Sequence, residues 1–434
     1  MLSKLDIHMK EILHGATLAF IIKVIGTGAA FLFNLLLARV LGADGAGIYY
    51  LALMVTTIGS VIGRFGLDNA MLRHISANAS DENWRAVKGV YRLGLLISMV
   101  LSLIVTIAIY LAAPWIANYV FETAELETAI KWMSLAIIPF SLLNLQAQSL
   151  MALKKIKDSQ FIQSVSIPVM MLLVIFFLAN NWDIVNVIWI YNIAVISTAL
   201  LGFWLWRRAG YKVRDVEGSF SAKILFQSSI PLFWVSLFIL LSYWSATIAL
   251  GIWGTSEDVG VYNVAARTAA LVSFVLVAVN SIAAPKFSAL YMQGDICNLG
   301  ATAVRTTNLM VVVASPVLLV FFIFPTWVMG LFGEDFIHGA YVLSIIAFGQ
   351  AINVATGSVG VILTMSGKEK VLRNIVALSA VLNIVFLIFL VPSYGLIGAA
   401  VATSLGMVAL SLVAAWYVYK LLGIKAYCMA SLRL

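Results

Sequence analysis

The sequence predicts an all-α integral membrane protein of about twelve transmembrane helices, arranged as two parallel-repeat six-helix bundles around a central cleft. Three observations predict it. Of 434 residues, 62% are hydrophobic and 11% charged, whereas ordinary soluble domains carry about 25% charged residues, so a soluble globule of this composition would not stay dissolved. Apolar stretches of about twenty residues, each able to cross ~30 Å of hydrocarbon at ~1.5 Å per residue, recur along the whole length. The two halves also share turn motifs in the same order.

Hydropathy, broken at Gly, Pro and charged clusters, gives spans at 16–37, 46–67, 89–112, 128–150, 160–179, 184–206, 223–251, 259–282, 306–330, 340–364, 371–391 and 395–419. The first, from Ala16, is longer than a signal-peptide core and has no small-residue cleavage site after it, so it is expected to be retained. Gly26 and Gly28 in the first helix and Pro231 in the seventh are candidate bending points. In the twelfth, Gly398, Ala402 and Gly406 recur every fourth residue and suit close helix packing.

Charge alternates between successive loops. Arg73, Arg85, Lys88 and Arg92, then Lys154, Lys155 and Lys157, then Arg207, Arg208, Lys212, Arg214 and Lys223 fall on one face. Lys286, Arg305, Lys368, Lys370 and Arg373 continue the pattern, and Lys4, Lys10, Lys420, Lys425 and Arg433 add the termini. The opposite face keeps Arg39 and Lys131 among Asp44, Glu122, Glu125, Glu127, Asp183, Glu257, Asp258, Glu334 and Asp335. The positive-inside rule therefore places both termini in the cytoplasm. The net charge of +8 reports topology and gives no reason to expect nucleic acid.

Aligning Gly47-Ile48-Tyr49 with Gly260-Val261-Tyr262 sets the basic turn Leu153 to Lys157 opposite Ser366 to Lys370, and Trp182-Asp183 opposite Tyr394-Gly395. Halves with an even number of spans run parallel. The expected organisation is a six-helix bundle at 1–206, a cytoplasmic linker at 207–222 and a second bundle at 223–434.

No loop exceeds about twenty-five residues, and the chain has no P-loop and no GxGxxG before a helix, so it has no room for a nucleotide-binding or catalytic domain. No enzyme activity, cofactor or metal is expected. His8, His14, His74 and His338 are scattered outside the spans, with His14 and His74 read as interfacial, and Cys297 and Cys428 lack CxxC or Cys/His company.

Every Asp and Glu falls in a loop or at a helix end, whereas Lys23, Arg64 and Arg267 fall inside spans. An intramembrane charge costs about 2.5–3.5 kcal/mol on insertion scales and is tolerated where it meets water, a partner or a ligand. Lys23 shares a helical face with Thr27 and Asn34, and Arg267 with Asn263. With no buried carboxylate as partner, an anionic ligand is the natural counter-ion. Arg64 instead has a local alternative, pairing with Asp68 at i,i+4. Asn144, Gln148, Gln350 and Asn353 either line the cleft or bond between helices. Trp234, Tyr243 and Trp244 are the aromatic candidates for stacking on sugar, while Trp115, Trp182 and Trp253 suit an interfacial belt.

The run Leu37-Ala38-Arg39-Val40-Leu41-Gly42, then Gly47-Ile48-Tyr49, Gly66-Leu67-Asp68 and Arg73, resembles the opening of polysaccharide-biosynthesis flippases. These are the O-antigen-type translocases of the multidrug/oligosaccharidyl-lipid/polysaccharide exporter superfamily. Leu363 to Lys370 and Tyr394 to Ala400 are similar to that family's second half, so the resemblance spans almost the whole chain. It implies a bacterial inner-membrane flippase moving undecaprenyl-diphosphate-linked oligosaccharide, a repeat unit of O-antigen lipopolysaccharide or another surface polysaccharide, to the periplasmic leaflet by alternating access. A polysaccharide polymerase and chain-length proteins would be its partners. Lys23 and Arg267 are inferred diphosphate contacts, since no family motif fixes them. The superfamily's peptidoglycan-precursor flippases resemble fourteen-span proteins, which argues against that substrate. Two competing readings have discriminating features that are missing here: a multidrug-extrusion antiporter calls for intramembrane acids, and a membrane polymerase or glycosyltransferase calls for a large periplasmic loop.

Overall fold

The computed structural model describes residues 7–177, 183–210, 213 and 216–425, and every regular element among them is helical. Lys4, Trp182, Lys212, Arg214, Cys428 and Arg433 lie outside the described residues, as do the side chains of His8, Lys10 and His14. Eight of the described helices are long and apolar enough to cross a membrane, and one bent pair makes a ninth.

Helix α1 (Ile7–Arg64) holds the first two spans, broken at Gly42, whose φ of 68° only glycine adopts without strain. No other residue of α1 leaves helical geometry, so Gly26 and Gly28 are not bends. Gly26 is a contact point: a Cβ there would lie 2.3 Å from the Ser164 carbonyl oxygen. α2 (Leu67–Ser80) continues the second span beyond the membrane stretch, and α3 (Trp84–Trp115) is the third.

The fourth span, expected to be continuous, is α4 (Glu125–Ser134) and α5 (Ile137–Ala152), bent by 44°. Pro139 is the physical reason: it cannot donate to the Leu135 carbonyl, and its ring crowds that group. α6 (Ile156–Gln160), a π-helical stretch at Phe161–Ser166 and α7 (Ile167–Phe177) form the fifth span, and α8 (Ile184–Ala209) the sixth.

In the second half, α9 (Ala222–Trp253) runs unbroken through Pro231. α10 (Ser256–Ala269) and α11 (Ser273–Met292) join through a 3-10 turn, and α12 (Ile296–Ile323) follows. The short α13 (Pro325–Gly330) leads to α14 (Ala340–Thr356) and α15 (Val359–Met365), divided at Gly357, where φ is 71°. α16 (Glu369–Leu422) holds the last two spans across a kink at Gly395. With α1 and α16 each holding two spans, the described helices fall on the twelve spans in the order the hydropathy predicts.

The chain divides into two compact units, Met1–Leu41 with Gly45–Trp244, and Gly42–Asp44 with Ser245–Leu434. In the first, α5 packs against α2, α3 and α8, with Tyr49 and Tyr50 fully buried beside Phe33 and Tyr191. Here also the segment after α8 crosses α3, where the Ser219 amide donates to the Arg85 carbonyl at 3.2 Å. His74 bonds Ser228 across 2.9 Å and packs on Phe220. In the second unit, α14 packs against α10, α12 and α16.

The repeat is visible in polar bonds inside each unit. Tyr50 donates to Asn34 Oδ1 at 2.8 Å, and at the equivalent positions Asn263 Nδ2 donates to Thr247 Oγ1 at 3.2 Å. Asn192 Nδ2 reaches the Trp132 carbonyl at 3.1 Å, and Ser404 Oγ reaches the Ile345 carbonyl at 2.8 Å. Ser60 meets Ser141 at 3.1 Å as Ser273 meets Gln350 at 2.9 Å, and Ser166 meets Thr198 at 2.8 Å as Ser379 meets the Gly406 carbonyl at 2.6 Å. Each bond joins the same two spans of its half. The alignment drawn from turns thus recurs in side-chain bonds between spans, several of them far from those turns.

Candidate functional site

Lys23 is exposed on the surface of the first unit, beside Ile21, Val24 and Ile25, which are also exposed. Three ion pairs occur among the described residues, Arg64–Asp68, Lys131–Glu127 and His338–Glu257, and none involves Lys23. One turn on, Thr27 is half-buried and donates to the Lys23 carbonyl at 2.9 Å, which satisfies its hydroxyl without touching the ammonium. Asn34, two turns further, is buried and taken up by Tyr50 and by the Ala30 carbonyl. The polar stripe therefore changes character along α1, from an open cation to a closed packing bond.

Arg267 sits half-buried near the end of α10, three residues before the 3-10 turn that opens at Ala270. Asn263, one turn earlier, is consumed by Thr247 and the Val259 carbonyl. Arg64 follows its local alternative: its guanidinium lies 3.4 Å from Asp68 and its Nε donates to the Ser60 carbonyl. No described carboxylate lies in the middle of a span, since Asp68, the one nearest to such a place, opens α2.

The remaining polar candidates divide by role. Gln350 is buried and accepts from Ser273, and half-buried Asn353 accepts from Ser411 at 3.3 Å. Asn144 donates back to the Phe140 carbonyl at 2.7 Å, a bond within its own helix. Gln148 is half-buried one turn further along the same face. Of the aromatics, Trp234 and Tyr243 are 52% and 65% exposed, whereas Trp244 is only 3% exposed. Trp244 therefore cannot stack on a sugar. Adjacent helical residues point about 100° apart, so Tyr243 and Trp244 could not both face the same way.

The repeat-related serine, threonine and asparagine bonds were not legible beforehand. Each pairs residues on different spans, and a hydroxyl in an apolar stretch gives no sign of its partner.

The fold is shared with solved transporters, one of them assigned to the superfamily of multidrug, oligosaccharidyl-lipid and polysaccharide exporters. The chain superposes on an inward-facing multidrug-resistance MATE transporter of that superfamily with a TM-score of 0.74 at 14% identity, covering 93% of this chain and 98% of that one. It also superposes on the lipid II flippase MurJ in an inward closed conformation, with a TM-score of 0.72 at 17% identity over 93% and 87% of the two chains. Within this fold, residues 12–291 match the family described as polysaccharide biosynthesis protein, and the chain belongs to that family. In sequence it is 25% identical to the probable low-salt glycan biosynthesis flippase Agl15 of Haloferax volcanii, over 94% of this chain and 83% of the relative.

Proposed function

We propose that this chain is a flippase that moves a polyprenyl-diphosphate-linked oligosaccharide from the cytoplasmic to the outer leaflet by alternating access. The observation that carries the reading is Lys23: a membrane-span cation with no ion pair, in a protein whose described carboxylates keep to loops and helix ends. An anion is the partner such a charge calls for. Arg267 is assigned as a second diphosphate contact, and the exposed Trp234 and Tyr243 as sugar-stacking surfaces. Arg64, Asn34, Asn263 and Gln350 are assigned to packing because their polar groups are already bonded within the protein.

The family membership and the likeness to Agl15 support a glycan substrate. The basic loops support cytoplasmic termini, with repeats at 1–206 and 223–434 joined by 207–222. The finer expectation is an undecaprenyl carrier with an O-antigen-type repeat unit in a bacterial inner membrane. An archaeal relative widens the range of hosts and carriers that must be tested.

Proteoliposomes loaded with a fluorescent polyprenyl-diphosphate oligosaccharide provide the test, with reducing quencher added outside to count flipped molecules. Lys23→Ala and Arg267→Ala are each expected to slow flipping at least tenfold, since a charge-assisted hydrogen bond is worth about 1.5–3 kcal/mol and ~1.4 kcal/mol is tenfold. Lys23→Arg should retain most of the rate. Wild-type protein that extrudes cationic dyes and leaves the glycan lipid in place would replace this reading with the antiporter.

A further inference from the structure

The first unit holds a cavity of about 620 Å³ where the start of α3 meets the end of α8. Its floor is aromatic: Tyr91 and Trp206 stack with ring centroids 4.0 Å apart and planes 13° from parallel. Its lining includes the cations Arg92 and Arg207, with Lys88 beside them, and no carboxylate among the described residues. The Arg207 guanidinium lies 4.6 Å from the Phe203 ring centroid, held over an aromatic face and not over an acid. Tyr91 itself is 5% exposed, and its buried hydroxyl has no hydrogen-bond partner among the described residues. A buried polar group left unpaired is costly, and a ligand oxygen is one way to satisfy it.

The surroundings specify the kind of ligand. From the cationic end, α3 presents exposed Leu96, Met99, Val100 and Leu103, and α8 presents exposed Leu200, Ile196 and Ile193. The two helices run in opposite directions, so both apolar rows lead away from the charges into the bilayer. A phosphate at the cations with hydrocarbon along these rows is the shape of a membrane lipid. Surface basic residues alone are expected on this face from the positive-inside rule. That rule does not account for a cavity, a stacked aromatic floor and an orphan hydroxyl at one place.

We propose that this cavity is a headgroup site for an anionic phospholipid of the leaflet assigned above as cytoplasmic. Its residues are other than those assigned to the transported substrate. Arg92 and Arg207 neutralise the phosphate, the Tyr91 hydroxyl donates to one of its oxygens, and the acyl chains lie along α3 and α8.

Native mass spectrometry of the full-length protein, released from nanodiscs of equal phosphatidylglycerol and phosphatidylcholine, tests the assignment. Wild type is expected to retain one phosphatidylglycerol in preference to phosphatidylcholine. The Arg92→Ala/Arg207→Ala double variant should lower that retention at least tenfold, and Tyr91→Phe, which keeps the ring stack, about threefold or more. Lys368→Ala/Lys370→Ala, removing two cations from a different basic turn, should leave it unchanged. If the double variant does not fold, Tyr91→Phe and Arg92→Gln decide alone. Equal loss in the Lys368/Lys370 control would reduce the effect to general surface charge and overturn the site. Displacement of the lipid by millimolar inorganic phosphate, or by stoichiometric polyprenyl diphosphate, would overturn it in favour of a free anion or of the transported substrate.

Discussion

At the scale of single residues, what separates a transport contact from a packing contact is whether the polar group is already bonded. Asn34 and Lys23 stand on the same side of α1, yet Asn34 accepts from Tyr50 in a buried site while Lys23 makes no ion pair. A double-mutant cycle with Asn34→Leu and Tyr50→Phe should therefore show a coupling of about 0.6 kcal/mol in unfolding, and no more than ~1.7, as for other side-chain bonds between membrane helices. A coupling near zero would remove Asn34 from packing and return it to the candidates for substrate contact. The aromatics of α9 give a sharper contrast. Trp244→Ala should destabilise the protein by about 3–5 kcal/mol, the usual loss for a buried large aromatic. Trp234→Ala, at a site 52% exposed, should leave thermal stability in detergent nearly unchanged while weakening glycan flipping. If both variants melt together, Trp234 belongs to the core and the stacking assignment fails.

At the scale of elements, the spans were legible because twenty-residue apolar runs bounded by charge admit few other readings. The bends were less so. Gly26, Gly28 and Pro231 lie in regular stretches of helix, while the sharp turns fall at Gly42 and Gly395 and the 44° bend lies just before Pro139. A glycine in a helix signals either flexibility or close approach, and the sequence alone does not say which. Gly26 faces the Ser164 backbone, whereas nothing lies within 4 Å of a Cβ built on Gly28. Gly26→Ala should then cost about 1–3 kcal/mol by overpacking the first span against the fifth. Gly28→Ala should be neutral or stabilising by up to about 1 kcal/mol, because alanine is the better helix former. The opposite order in a thermal-shift series would sink this account of the first helix. At the start of α12, Asp295 caps the helix by accepting from the Asn298 amide at 3.0 Å and its side chain at 2.6 Å. The Asn298 side chain first, then its amide, hold the Asp295 carboxyl below the usual carboxylate range. The contribution of the cap is present in full above the ordinary carboxylate pKa and is lost as pH falls through the lowered value of the folded state. Protection of the amides at the first turn of α12, measured against their intrinsic exchange rates, should therefore fall in that acid window, and Asp295→Asn should abolish the pH dependence of that protection while keeping a cap.

At the scale of the molecule, the twelve crossings and the repeat were readable because both are written in patterns many residues long. The use of each polar residue was not, since it depends on partners on other spans. The charge proposed for substrate contact at Lys23 carries a consequence for energetics. A diphosphate-linked glycan travelling outward across a membrane that is negative inside moves downhill electrically, by about 2.3 kcal/mol per uncompensated charge per 100 mV. A protein without carboxylates in the middle of its described spans has no internal anion to offset that drive. Wild-type flipping in proteoliposomes should thus accelerate when a potassium gradient with valinomycin makes the donor side negative, and slow when the gradient is reversed. The size of the response reports how much of the ligand's charge Lys23 and Arg267 neutralise in transit, because a cation that moves with the diphosphate subtracts from the field's work. Lys23→Ala should for that reason flip more slowly at zero potential yet depend more steeply on voltage than wild type. Equal rates at both signs of potential, in wild type and variant alike, would show that the field does no work on the substrate, and the driving force would then have to come from a coupled ion.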